Sequence, residues 1–455
     1  MQRIAIGGLG LALAATLALT VACGGGMSSR DVPGDVSGDL AGDTSGLDIP
    51  AQGDADTGGR DPGPLDTPAS DTGDSDTVAP TDLPVVDTFV PHPKADTIPL
   101  FDEATVVDFA LTFAPDQWTQ FQAYRTAKSK EYVHCTFTYN GEVFADAACR
   151  SKANATYWGE EKKPQFVVRF NHWDKNGRFR KLRALNLEAN PYHSAPIRDR
   201  VGMWMFRQVG LDASRVNHVR LTVDGAPYGV YMNIEVVDHE FLEAHFPDPS
   251  GNLFDNASEL TTNETTSDGS DLSNFDDMVD AEPIDGDHTA FFAAVAKIAD
   301  VSEILREMAA EATFPTGDNF TNGGTNYLWY DHPNRGFIVI PWDVDDILSE
   351  WGDPTSDPFT YSGQPELALP PSKLRQLMYL NPAWKAEYVQ HLKAFSEQWL
   401  PQVQAKIAEV CTQIRPFVLV DPYAASPDIS DFDADCQDAA NRADQRRVFL
   451  LTALP

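Results

Sequence analysis

Short apolar runs with period-two alternation dominate the chain from about residue 105 to 240, and apolar positions three and four apart dominate after about 288. The first pattern predicts strands and the second helices, so the fold class is α+β, with a mixed, sheet-rich amino half and a mainly helical carboxyl half. Residues 132–139 and 142–149 flank Asn140-Gly141 and read as a hairpin. Residues 165–170, 216–223 and 228–236 read as further strands, the last two joined across 224–227. Between them, Ser194 and Pro196 open a helix closed by Gly210, with Ile197, Val201, Trp204 and Met205 on one side. Helices follow over 288–299 and 301–312, and the stripe Trp384, Tyr388, Leu392, Phe395, Trp399 continues as Val403, Ile407, Val410, Ile414, a core-packing pattern. The runs 326–330 and 338–342 form a second hairpin across 331–336. The acidic, Ser/Thr-rich stretch 254–287 has weak periodicity and reads as a loop or flap.

The two ends of the chain differ in kind. Arg3, the apolar stretch 9–21 and Ala22-Cys23 form a signal-peptide pattern, with Cys23 as the expected lipidated first residue of an exported lipoprotein. Gly24 after it favours an outer-membrane or surface location. Residues 24–100 hold fifteen Asp, no Glu and three Lys or Arg, too charged and too poor in apolar side chains to bury a core. They read as a disordered acidic tether, which leaves 101–455 as the folded domain. Nothing after the signal is apolar for long enough to span a bilayer.

Cys135, Cys149, Cys411 and Cys436 are an even number in an exported chain, which suits disulfides. Cys135 and Cys149 flank the Asn140-Gly141 turn, and Cys411 with Cys436 follows by elimination; other pairings remain open. No two lie at the close spacing that zinc sites use.

Charge adds a functional clue. The chain carries −34, yet residues 161–220 hold thirteen Lys or Arg against five acids. Such a basic region suits an anionic ligand, or a solvated face balancing acidic neighbours. Downstream, the apolar run ending at Pro341-Trp342 turns into Asp343-Val344-Asp345-Asp346, preceded by Asp318 and Asn326 on the other arm of the hairpin. An Asp, then an Asn, then a second Asp beyond a hairpin is the order in which phosphotransfer sites place base and metal ligands. No Gly-x-x-x-x-Gly-Lys loop and no Gly-x-Ser-x-Gly elbow is present. His239 and His245 are six apart and would face different sides of a helix, which argues against zinc.

The stretches 162–164 with Arg169-Phe170, 185–187, Arg198, 229–235 with Asp238, 326–330 and 341–345, in that order, resemble the CotH kinase family over most of residues 105–455. The resemblance implies an atypical protein-kinase-like, two-lobed fold that transfers the γ-phosphoryl group of ATP to Ser or Thr of an exported protein, with no nucleic-acid partner. It implies Lys163 as the phosphate-contacting lysine, with Arg169 nearby and Glu235 as its partner. Asp318 would orient the acceptor hydroxyl, and Asn326, Asp343 and Asp345 would hold Mg2+ or Mn2+. Residues 151–156, Ser-Lys-Ala-Asn-Ala-Thr, lack the glycine common in the family there. Two other readings use the same residues: a non-catalytic surface lipoprotein that binds protein or polysaccharide, and a structural calcium site.

Overall fold

The computed structural model describes residues 93–152, 163–190, 192–255, 259–361 and 371–454. Cys23, the signal pattern, nearly all of the acidic tether, Lys162 and residues 153–156 lie outside the described residues. A short 3-10 helix, Ala95–Phe101, buries Leu100 and Phe101, so packed chain extends a few residues upstream of the expected boundary.

Seven strands close a barrel. β1 (Val107–Thr112), β2 (Val133–Tyr139), β3 (Glu142–Ser151), β4 (Phe166–Arg169), β5 (Ala184–Glu188), β6 (Val216–Val223) and β7 (Ala226–Ile234) follow the order β1-β2-β3-β4-β5-β7-β6, and β1 closes the ring by pairing parallel with β6. Alternate residues turn inward, among them Phe109, Phe137, Phe166, Leu187 and Tyr231, and helix α1 (Pro115–Thr126) adds Phe121, whose ring stacks on Phe166. The opposite face of β7 gives Val230, Met232 and Ile234 to a second core shared with the helices. Burial on both faces explains why 230–234 is apolar with little alternation.

The helices are α2 (Arg198–Gln208), α3 (His239–His245), α4 (Ser270–Ala281), α5 (Thr289–Ile298), α6 (Val301–Thr313), α7 (Lys373–Met378), α8 (Pro382–Ala394), α9 (Leu400–Val418) and α10 (Ile429–Ala453). A π turn over Phe395–Trp399 joins α8 to α9 and carries the aromatic stripe across the junction. A second sheet, in the order β11-β10-β8-β9, comprises β8 (Asn252–Asp255), β9 (Glu259–Leu260), β10 (Tyr327–His332) and β11 (Gly336–Pro341). The expected 326–342 hairpin forms one side of it, β11 at the edge and β10 inside, with His332 opposite Gly336 at the turn. The fold is thus mixed α+β, with strands in both halves.

Two expectations need correction, and the expected Cys135–Cys149 disulfide forms. Residues 254–287 are not one long flap: they hold β8, β9 and α4, whose Leu272, Phe275 and Val279 are buried, with Phe275 stacked on Phe337. The helix predicted from Ser194 starts at Arg198, without a side-chain cap. The hairpin of β2 and β3 contains a bulge between Cys135 and Phe137, so Cys135 faces Ala147 and the Cys135–Cys149 disulfide runs diagonally. Cys411–Cys436 ties α9 to α10. Among the described residues no helix is long and apolar enough to cross a membrane.

Candidate functional site

The hairpin register brings Asp318, Asn326 and Asp343 to one place. The pairing of Tyr327 with Pro341 is extended by the Trp342 amide, which donates to the Asn326 carbonyl at 3.1 Å. Asn326 and Asp343 then leave the ladder in left-handed conformations, with φ of 58° and 48°. Such backbone is tolerated by Asn and Asp, and clusters where a side chain must be aimed. The Asn326 side-chain amide donates to the Asp318 carbonyl at 3.3 Å, and the Thr325 hydroxyl donates to the Asp318 carboxylate. Glu311 on α6 fixes the same turn by accepting the amides of Phe320 and Thr321 at 2.9 and 3.0 Å.

The barrel supplies the opposite wall. Lys152, just past β3, donates to Glu188 on β5 at 2.7 Å and approaches Asp343 at 3.5 Å. Both partners of the lysine–glutamate pair are buried, so this cation is held between two carboxylates and shielded from water. Burial works against the ammonium, but Asp343, Glu188 and Asp345 outweigh it and hold Lys152 above its ordinary pKa.

Helix α2 closes the third side. Arg198 bonds Asp435 on α10 at 2.7 Å, and Asp435 also accepts the Ala195 amide at 2.8 Å, which fixes the start of α2. Asp199 is fully buried, and neither its oxygens nor Glu188 Oε1 meets a full hydrogen bond. Burial, then Asp343 and Glu188, push Asp199 well above the usual carboxylate range, although Lys152 and the Val344 amide favour its charged form. Burial also raises Asp345, reinforced by Asp343, Asp346 and Asp199. Asp346 is pushed up to about 7 by burial and by Asp318 and Asp343, with Arg198 opposing. His193 is held down at about 4, by burial and then Arg198.

The donor set is oxygen-rich and short of positive charge, which suits a hard cation. Among the described residues no three His, Cys, Asp or Glu side chains converge as a ready-made metal cage. Mg2+ does not require one, since it is commonly held by one or two carboxylates together with phosphate oxygens and water.

The structure places three of the expected residues, Lys163, Glu235 and Arg169, away from this cluster. Lys163 does not join this cluster: its ammonium donates to the Val230 carbonyl at 2.5 Å and to Asp421 at 2.8 Å, and sits over the Tyr231 ring. It fastens the segment after α9 to β7, where Gly229, at φ +91°, leaves room for the Asp421 carboxylate. Glu235 is not its partner. Glu235 binds Arg215 through that residue's main-chain amide and guanidinium, and lies 3.9 Å from His245. Burial opposes the Glu235 charge, but Arg215 outweighs it and keeps the carboxyl below its ordinary range. Arg169 sits at the far end of β4, paired with Ala148 and Ala184, four residues along from the Lys152–Gln165 bond. Asp318, Asn326, Asp343 and Asp345 do fall together.

Sequence reasoning missed Lys152, Glu188 and Asp199. Their signal was faint: Glu188 ends the otherwise uncharged strand 184–188, and Asp199 sits between Arg198 and Arg200 in a charged triplet that reads as surface but that α2 buries. Lys163 stands in the more recognisable stretch, whereas nothing in the sequence around Lys152 marks it.

A family model described as CotH kinase protein matches residues 158–450. The inner spore coat protein H of Bacillus subtilis (strain 168) is 25% identical over 299 residues, covering 58% of this chain and 78% of that protein. The crystal structure of a Helicobacter pylori proinflammatory kinase, CtkA, aligns over 63% of this chain and 94% of its own at 9% identity, with a TM-score of 0.26.

Proposed function

The chain belongs to the CotH kinase protein family, and from that membership we propose that it transfers the γ-phosphoryl group of ATP to a Ser or Thr hydroxyl of an exported protein. The observation that carries this reading is the Lys152 ammonium held between Glu188 and Asp343, on the wall facing the turn that bears Asp318 and Asn326. Lys152 takes the phosphate-contacting role first expected of Lys163, with Glu188 as the carboxylate that orients it.

Asn326, Asp343 and Asp345 would hold Mg2+ or Mn2+. When bound, the ion neutralises charge on the phosphate oxygens. The chain's own part is positioning. Lys152 draws phosphate oxygens toward the barrel wall, and Asp318, fixed through its carbonyl by Asn326 and through its turn by Glu311, orients the acceptor hydroxyl. In the transfer the hydroxyl oxygen bonds to the γ-phosphorus, the bond to the β,γ-bridging oxygen breaks, ADP leaves and the hydroxyl proton passes to Asp318.

Export agrees with the two disulfides, which persist in oxidising compartments. Lipidation at Cys23 would tether the domain to a membrane surface through the acidic segment.

Incubation with γ-labelled ATP, Mg2+ and a Ser/Thr-rich acceptor tests the reading. Label transfer is expected from the wild type, with a loss of at least about 100-fold in Asp318→Asn and Asp343→Asn. No transfer from the wild type, or undiminished transfer in both variants, refutes it.

A further inference from the structure

We infer that Asp199, on the first turn of α2, supplies a carboxylate to the divalent cation of this site, an inference that rests on the nucleotide-binding reading above. The ordinary reason for an acid at this position is to cap the helix or meet its positive end. Asp199 has neither oxygen in a full hydrogen bond and no exposure to water. In its ionised form it needs donors, and in its neutral form it needs an acceptor. Its surroundings offer the Val344 amide, Asp343, Glu188 and the Lys152 ammonium. Lys152 is already committed to Glu188.

A buried polar group left in this condition destabilises the fold, more so when charged. Glu188 Oε1 shares the condition. Three unsatisfied buried oxygens on two side chains, both under the influence of Asp343, with α2 packed through Gly202 on Val344 and Ile347 of the same acidic segment, are best explained by a cation that meets them. Mg2+ and Mn2+ accept such oxygens readily, and the nucleotide would complete the coordination that the side chains do not close by themselves.

The test measures free Mn2+ by electron paramagnetic resonance during titration of the full chain, with and without the ATP analogue AMP-PNP. Asp199→Asn keeps the shape of the side chain, and Asp199→Ser serves if the amide variant does not fold. The expected result is Mn2+ retention by the wild type, weakened at least about tenfold in the variant, with the metal-free melting temperature at pH 6 preserved. Equal Mn2+ affinity in wild type and variant, or no retention by the wild type in either condition, overturns the inference. Retention of Mn2+ and AMP-PNP by a wild type that transfers no phosphoryl group, with affinity lost in the variant, upholds the Asp199 assignment and refutes the kinase reading separately.

Discussion

Single residues decide how closely the three walls of the site approach. Gly202 on α2 is the sharpest case, because an added Cβ would lie 2.7 Å from Ile347 Cδ1 and 2.8 Å from Val344 Cγ2. Those side chains belong to the segment that carries Asp343, Asp345 and Asp346, so α2 and the acidic segment touch at a position where only glycine fits without a shift. Overpacking of this kind typically costs about 1–3 kcal/mol. Gly202→Ala is therefore expected to lower the unfolding free energy by roughly that amount in a denaturant titration, and to reduce phosphotransfer by more than the folding loss explains. Unchanged stability and activity would mean the segment yields freely. At this scale the sequence was read unevenly. The order of Asp318, Asn326 and Asp343 was legible because a hairpin register follows from two apolar runs. Lys152 was not, since its role depends on β3, β4 and β5 lying side by side, and the nearby lysines look alike in one dimension.

Elements transmit that arrangement. Helix α6 runs Glu303, Glu307 and Glu311 at four-residue spacing, all three buried, and only its last carboxylate reaches the Asp318 turn. There each oxygen of Glu311 accepts one main-chain amide. A glutamine in its place presents an NH2 to one of those donors, leaving it unsatisfied at about 1–3 kcal/mol. Glu311→Gln is expected to lower kcat more than it raises KM for ATP, since it loosens the Asp318 turn and leaves Lys152 in place. A change confined to KM would place its effect elsewhere. Strand and helix types were legible where one face is buried and the other wet. Helix α4 was not, because Leu272, Phe275 and Val279 are three apolar positions in an acidic stretch, and their burial depends on Phe337 of a strand more than fifty residues away.

At the scale of the whole molecule, many buried carboxyls govern the pH response. Asp238, Glu303, Glu311 and Asp346 are pushed up to about 7, burial being the first cause in each, and Glu307 goes well above its ordinary range through burial, then Glu311 and Glu303. For an acid with a raised folded-state pKa, the unfolded chain releases its proton first. Stability is therefore greatest near the unfolded pKa of about 4 and falls as pH rises toward the folded value. His193 and His218, depressed to about 4 and 3 chiefly by burial, act oppositely, but their gain is complete near pH 6.5. The melting temperature should thus fall from pH 6.5 to 8.5. Glu307→Gln, which removes the carboxyl whose proton the folded chain holds most tightly of these five, should raise stability at pH 8.5 by about 1 kcal/mol or more while changing it little at pH 5. Equal effects at both pH values would contradict the raised pKa of Glu307. At the site between barrel and hairpin, a nucleotide-bound cation would relieve the mutual crowding of Asp343, Asp345 and Asp346. The most direct test of that claim is thermal unfolding with AMP-PNP, with and without Mg2+, in the wild type and Lys152→Met. A rise equivalent to about 2.7 kcal/mol at a hundred times Kd, requiring Mg2+ and lost in Lys152→Met, is the predicted result; stabilisation independent of Mg2+, or fully retained in the variant, would contradict it.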